Sequence, residues 1–556
     1  MDSDSLAPGF LVTLLHPPRH VDALLEFSNT AQLADGVILH LDIELSQLSA
    51  PSLPLSSEIA LSHALGQLLT PILVLTDISD LLTNELLSSE EIYQTLKGII
   101  EKANECIAFR QPPSAGDKDW QDFADADVLN PSIGNVVFGS DINGWGFSLT
   151  SVAKRYGSQA QKKDVDIFRA VERLWGEPSS NDADEARGTR KRKFNALVLE
   201  PLLEIFKITL KGDIASIRNL IADSPLLRPS LPIDEQNRLL AHDNDREYLL
   251  RQLLYHFFPM DDAILEAVIL CVPSPPRAQI HRVKMLYEGP QDDQFAQAIR
   301  DCDPDGPLMV HIGKIVHSPA LLPNPSPYST TPMIESINYF EKQTWAIPTE
   351  PTSTDELAGE AFYALARVFS GTLHPGMNVR ILGPKYIPGR KEDTFQATIG
   401  LDDIVSLVDL SKSSCDTRDK GDDTSSARDS NPPRTLPKST IAGPGNIILL
   451  RNIPRFLTRS GTLTGSANET AHPFRIQVHP IARAPLVQRI VELRGPSTLL
   501  MLHFALNRLV RLFPGIEVLE DSSGQQALGG VDEKSLEECV EVGVVSNWSS
   551  FPLSPH

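Results

Sequence analysis

The chain has 556 residues, enough for about three domains that each bury their own core. Its 41% hydrophobic and 22% charged content is globular, and no apolar run approaches the roughly 18 residues of a membrane span. A formal net charge of −22 excludes non-specific nucleic-acid binding through the whole surface, leaving only docking through a local patch.

The opening stretch, MDSDSLAPGF, carries acidic residues where a secretory signal would carry basic ones. Five cysteines without CxxC spacing point to a reducing compartment and no thiolate metal cage, so the expected location is cytoplasmic. In chain order, Val37, Ile38, Leu39 and Leu41 predict a buried strand. SEIALSHALGQLL then sets Ile59, Leu61, Leu65, Leu68 and Leu69 at helical spacing, and Ile72, Leu73, Val74 and Leu75 form a second apolar run. Strand, helix, strand at this spacing predicts a βαβ unit and a parallel sheet. Ser88 and Glu91 form an S-x-x-E capping box ahead of a helix with Ile92, Leu96, Ile99, Ile100 and Ala103 on one face. NVVFGS, residues 135–140, predicts a third strand. Ligands of such doubly wound sheets bind beyond the carboxyl ends of the strands, here near Asp42, Thr76 and Ser140.

Residues 148 to about 250 read as helical, with VDIFRAVERLWGE and NALVLEPLLEIFKITL strongly amphipathic. From about 275 the pattern changes to short strands with Pro/Gly turns, the signature of a β-barrel: LMVHIGKIV, YALARVFSGTL and MNVRILGP. Two segments interrupt it, 317–357 and 411–440; the second is too rich in Ser, Asp and Pro to pack. After Pro485 the chain reads strand, helix, strand, a small α+β domain. The basic run RGTRKRK, Arg187 to Lys193, reads as a solvated loop, with a nuclear signal or an RNA contact as rivals. Trp145 in NGWGF reads as a core aromatic at a strand-to-helix turn.

Several strings occur together in one order: GNVVFGSDINGWGF, RLWGE, PSPPRAQIHRVKMLYEGP, RDCDPDGPLMVHIGKIV, LARVFSGTLHPGMNVRILGPKY and GPGNIILL…FLTRSGTLT. They resemble the elongation factor 2 group of translational GTPases over nearly the whole chain. GNVVFGSDINGWGF, ARVFSG…LGPKY and the 317–357 insertion are most like the ribosome-assembly branch, the elongation factor-like GTPase 1 type. LYEGPQDD and RDCDPDGPLM are more like elongation factor 2 itself. The resemblance implies a multidomain α/β plus β fold in four parts. Residues 1–147 would be an incomplete doubly wound, P-loop-type G domain, and 148–272 a helical insert and the end of that domain. Residues 273–482 would be the translation-factor β-barrel, and 483–556 an α+β domain, with the C-terminal domains missing. It also implies GTP and magnesium as cofactors, and a monomer with no membrane association. The implied partners are the large ribosomal subunit or its late precursor, ribosome assembly factors and, by local contact, ribosomal RNA. In the assembly branch such a protein helps release an anti-association factor; in the elongation branch it drives translocation.

The GTP site is where this sequence departs. The phosphate loop, G-x-x-x-x-G-K-[ST], should precede the first strand, and the chain begins too late to contain it. The family pattern D-x-P-G-H-V-D falls on HPPRHVD, His16 to Asp22: His16 replaces the metal-side aspartate and Arg19 the glycine, while Pro18, His20, Val21 and Asp22 match. His20 is therefore the candidate water-positioning residue, with a plain loop histidine as the rival. The guanine motif N-K-x-D falls on Thr76, Asp77, Ile78 and Ser79, so its carboxylate is a serine and its lysine an aspartate. A hydroxyl cannot supply the charge-assisted bonds that read the base, so guanine specificity should be lost. Ser140, between Gly139 and Asp141, matches the small residue that follows the third strand. At the other end GxGELHLE has become GGVDEKSLE. Lys385, Arg390 and Lys391 read as solvated turn residues, with ribosomal RNA contact as the rival.

The expectation is family function by descent with a degenerate GTP site. Its rivals are a non-hydrolysing ribosome- or factor-binding module, a fragment of a translation elongation factor, and a decayed product. An exposed sheet edge in the last would make it poorly soluble.

Overall fold

The computed structural model describes residues 10–16, 23–43, 53–84, 86–109, 128–159, 167–176, 192–227, 238–240, 245–317, 362–406, 441–475 and 487–491, with scattered positions in 506–539. They form two compact units, Asp35–Pro273 and a second that joins Met1–Ala34 to Ser274–His556. The first described helix, α1 (Ala23–Leu33), belongs to the second unit.

The unit Asp35–Pro273 carries β1 (Gly36–Asp42), α2 (Leu55–Gly66), β2 (Thr70–Thr76), α3 (Ile78–Thr83), α4 (Ser89–Phe109), β3 (Val136–Ser140) and β4 (Trp145–Ser148). Helices α5 (Leu149–Gln159), α6 (Ile167–Trp175), α7 (Glu200–Lys211), α8 (Ile214–Asp223), α9 (Arg246–Phe257) and α10 (Met260–Cys271) follow. The sheet order is β1-β2-β3-β4, with β1, β2 and β3 mutually parallel as the βαβ spacing requires, and β4 antiparallel to β3. The apolar runs exist because the sheet is covered on both faces. Ile72, Val74 and Val137 pack on Met260, Ala263 and Ala267 of α10, while Leu73, Leu75 and Phe138 join the larger core with Ile92, Leu96 and Ile99 of α4. The capping box forms: Ser88 N–H donates to Glu91 Oε2 at 2.7 Å, and Glu91 N–H donates to Ser88 Oγ at 3.3 Å. From the basic run, Arg192 pairs with Glu90 at 3.0 Å and lies 4.5 Å over the Tyr93 ring.

The second unit continues with α11 (Pro275–Leu286) and α12 (Gln294–Asp301), where the sequence predicted short strands. The buried face of α11 holds Ala278, Gln279, Arg282, Val283 and Leu286, so two polar residues conceal its helical period. Next come β5 (Met309–His317), β6 (Phe362–Ser370), β7 (Asn378–Leu382), β8 (Thr394–Thr398), β9 (Ile404–Ser406), β10 (Ile447–Leu450) and β11 (Gly461–Gly465). They make one antiparallel sheet, ordered β8-β7-β11-β5-β6-β10-β9 and curled as a half-barrel. A three-stranded sheet, β12-β14-β13, is built from β12 (Val487–Val491), β13 (Glu517–Glu520) and β14 (Gln526–Gly530). The protein is thus mixed α/β with several sheets. Apart from His317, the 317–357 interruption lies outside the described residues, as does all of 411–440.

Strand β6 is buried at every position. Phe362, Ala364, Ala366 and Val368 line the core inside the half-barrel, while Tyr363 and Leu365 pack with Leu33 of α1 on the opposite face. On that outer face a polar cluster closes the end of α1. Arg367 Nη1 donates to Leu33 O at 2.7 Å, and Arg282 donates to Ala31 O and Gln32 O at 3.2 Å each and also to Ala34 O. These carbonyls are ones a helix C-terminus leaves unmet, and the guanidinium charge opposes the helix dipole there. His311 of β5 meets Gln32 Oε1 through Nε2 at 2.8 Å, and Gln279 donates to Phe369 O at 3.0 Å. Gly313 lets α1 approach: a Cβ there would lie 2.8 Å from Leu33 Cδ1 and 2.9 Å from Asn29 O.

Burial, reinforced by the Arg282 charge, pushes His311 down to about 3. The unfolded chain takes up this proton near pH 6.5, whereas the folded one does not until far lower, so the stability is complete above pH 6.5 and lost as pH falls. Between pH 6.5 and 5 the wild type should lose about 2 kcal/mol more than His311→Asn in urea unfolding. Equal losses would show that His311 is not held neutral.

Candidate functional site

The carboxyl ends of β1, β2 and β3 lie side by side, with Asp42 directly across from Thr76. Thr76 is fully buried, and its hydroxyl donates to Asp42 Oδ1 at 2.8 Å and to Leu41 O at 3.3 Å. Asp77 follows in a left-handed conformation (φ 61°, ψ 23°) and caps the short α3 without a side-chain hydrogen bond. Its carboxyl is raised above the usual range, first by burial and then by the charges of Asp141, Asp42 and Asp80, with His40 opposing. The Ser79 hydroxyl is buried and has no hydrogen-bond partner among the described residues. Ser140 is buried and accepts from Asn143 Nδ2 at 3.2 Å.

The structure therefore gathers Thr76, Asp77, Ser79 and Ser140 at one edge of the sheet. Pro18, His20 and Asp22 lie outside the described residues, whereas His16 is described and exposed. At the same edge stand residues that the sequence reading left without a role. His40 sits between two carboxylates, with Nδ1 3.4 Å from Asp42 Oδ1 and Nε2 3.7 Å from Asp141 Oδ2. The available signal was the alternation of β1, which puts His40 and Asp42 on one face.

The glycines of β3 and β4 have a packing explanation. Gly139 and Gly146 face each other across β3 and β4. A Cβ on Gly139 would lie 2.2 Å from Trp145 O, and one on Gly146 would lie 2.4 Å from Met260 Sδ. Trp145 is a core residue in β4, stacked on Phe147 at 6.4 Å and edge-on to Phe206 at 6.1 Å.

These residues do not fit a guanine nucleotide. Base recognition needs a carboxylate that accepts two hydrogen bonds, and Ser79 offers a single hydroxyl. Asp77 adds its carboxyl to a group that already holds Asp42, Asp80 and Asp141. The local potential is negative and favours cations.

By architecture the protein belongs to the mixed α/β class, and among the described residues no helix is long and apolar enough to cross a membrane. No protein-family model matches the chain. Among solved structures, the crystal structure of ttk003000868 from Thermus thermophilus is similar at 12% identity and a TM-score of 0.40. That match covers 97% of this chain and 56% of the other, so the chain spans little more than half the length of that protein.

Proposed function

We propose that this chain is a non-hydrolysing relative of the elongation factor 2 group, of the ribosome-assembly type. It docks on the cytoplasmic large ribosomal subunit or its late precursor, where members of that branch help release an anti-association factor. The observation that carries the reading is the altered strand edge. Three parallel strands end in the order a G domain uses, yet a hydroxyl and a carboxylate stand where guanine would need a carboxylate and a lysine. GTP and magnesium are therefore not cofactors of this chain under the proposal.

Docking needs a local basic surface, and the β7–β8 hairpin supplies one. Lys385, Arg390 and Lys391 are exposed on a turn held by Asp393, which accepts from Lys385 N–H at 2.7 Å and from Gly383 N–H at 2.9 Å through its backbone oxygen. Beside the turn, the half-exposed Phe395 lies 5.6 Å from Phe456, and Arg455 lies 4.6 Å over the Phe456 ring. Cations next to half-exposed rings suit ribosomal RNA.

Purified protein should co-sediment with large ribosomal subunits and show no GTP-specific binding by calorimetry. Reversing all three charges (K385E, R390E and K391E together) should weaken co-sedimentation and lower its salt dependence by about three ionic contacts. GTP-specific binding would sink the non-hydrolysing reading. Absence of co-sedimentation would sink the ribosomal one.

A further inference from the structure

We propose that His40, Asp42 and Asp141 form a binding site for a divalent transition-metal ion at the carboxyl ends of β1 and β3. The proposal stands whether or not the chain docks on ribosomes. The pleat of β1 puts His40 and Asp42 on one face, and Asp141 is the first residue beyond β3. Their backbones are fixed by the parallel register through β2. One ligand atom from each of the three lies within 4.8 Å of the other two.

Two observations separate this triad from an ordinary acidic patch. The first is spacing. The His40–Asp42 and His40–Asp141 separations of 3.4 and 3.7 Å are too long for hydrogen bonds, which prefer about 2.7–3.2 Å. The two separations start from different ring nitrogens, of which an ion takes one, and with one ligand atom from each residue within 4.8 Å of the others the three side chains are near enough to share an ion. The second is ligand type. Carboxylates alone suit calcium or magnesium, whereas one imidazole with two carboxylates suits zinc, manganese, iron or cobalt.

The surroundings support the ligands. The buried Thr76 hydroxyl donates to Asp42 Oδ1 at 2.8 Å, the outer-shell bond that orients a metal-binding carboxylate. Ile142 N–H donates to Asp141 Oδ1 at 2.7 Å, leaving Oδ2 toward His40. All three ligands are solvent-accessible, so the ion would enter from solution and keep at least one position for water. The rival is the same three side chains with no ion between them.

The test uses the full chain, stripped with chelator and titrated with Zn²⁺ by calorimetry, with Co²⁺ absorption as the coordination readout. Wild type should bind one equivalent more than His40→Ala or Asp141→Asn, or bind it more than about tenfold tighter; loss of an outer-shell partner alone costs about 10–100-fold. Zn²⁺ should raise the melting temperature of wild type and not that of His40→Ala. Both side chains are exposed, so the variants should melt like wild type in chelator. Equal stoichiometry and affinity in all three proteins, or no Zn²⁺ binding by wild type, would overturn the site.

Discussion

Arg282→Ala should destabilise the unit that contains the half-barrel by at least about 3 kcal/mol, because one buried guanidinium serves three carbonyls at the end of α1. Hydrogen bonds from a charged donor contribute about 1.5–3 kcal/mol each, and each abandoned carbonyl would remain buried. The matching fall in melting temperature is roughly 6–12 °C. Arg282→Lys should recover only part of it, since an ammonium cannot reproduce the planar fork. Hydrogen exchange provides a sharper readout than melting. Amides in the last turn of α1 should exchange faster in the variant than those of β10 and β11 on the same sheet. A variant that melts like wild type would mean that α1 is held by its apolar contacts with β6 alone.

Trp145→Ala should cost the other unit about 3–5 kcal/mol, the range for deleting a buried large aromatic. The indole is wholly buried between Phe147 and Phe206. It also sits where Gly139 and Gly146 bring β3 and β4 against α10, so little can collapse into the void. Trp145→Phe should lose less than half as much. Calorimetry can assign the effect if the two units melt separately; a loss below about 1 kcal/mol would mean that the pocket refills.

The sequence showed the parallel sheet well and the outer face of the half-barrel poorly. Strands β1, β2 and β3 were legible because sheets covered on both faces leave unbroken apolar runs. Helix α4 was legible because its apolar face is regular and its cap is local. Helix α1 was not, because its buried face includes Ser28, Asn29, Thr30 and Gln32. Helix α11 was hidden in the same way by Gln279 and Arg282. Strand β4 has four residues, too few to show alternation. At the candidate site, Asp42, Thr76 and Ser140 could be placed near strand ends from the strand pattern, whereas Asp77 and Ser79 were reached only through the resemblance to the N-K-x-D motif. The approach of Asp141 to His40 could not be read from the sequence, since it depends on the register of three strands spread over a hundred residues of chain.

The bond from Arg367 to Leu33 joins residues 334 apart in the chain. During synthesis at roughly 5–20 residues per second, α1 waits on the order of 20–70 s before the strand that receives it exists. An isolated helix of 11 residues is marginal in water, so for that interval α1 has neither its helical shape nor its place. Meanwhile Asp35–Pro273 is completed and can fold. The contacts of α1 with β6 can therefore form only after Asp35–Pro273 has been made.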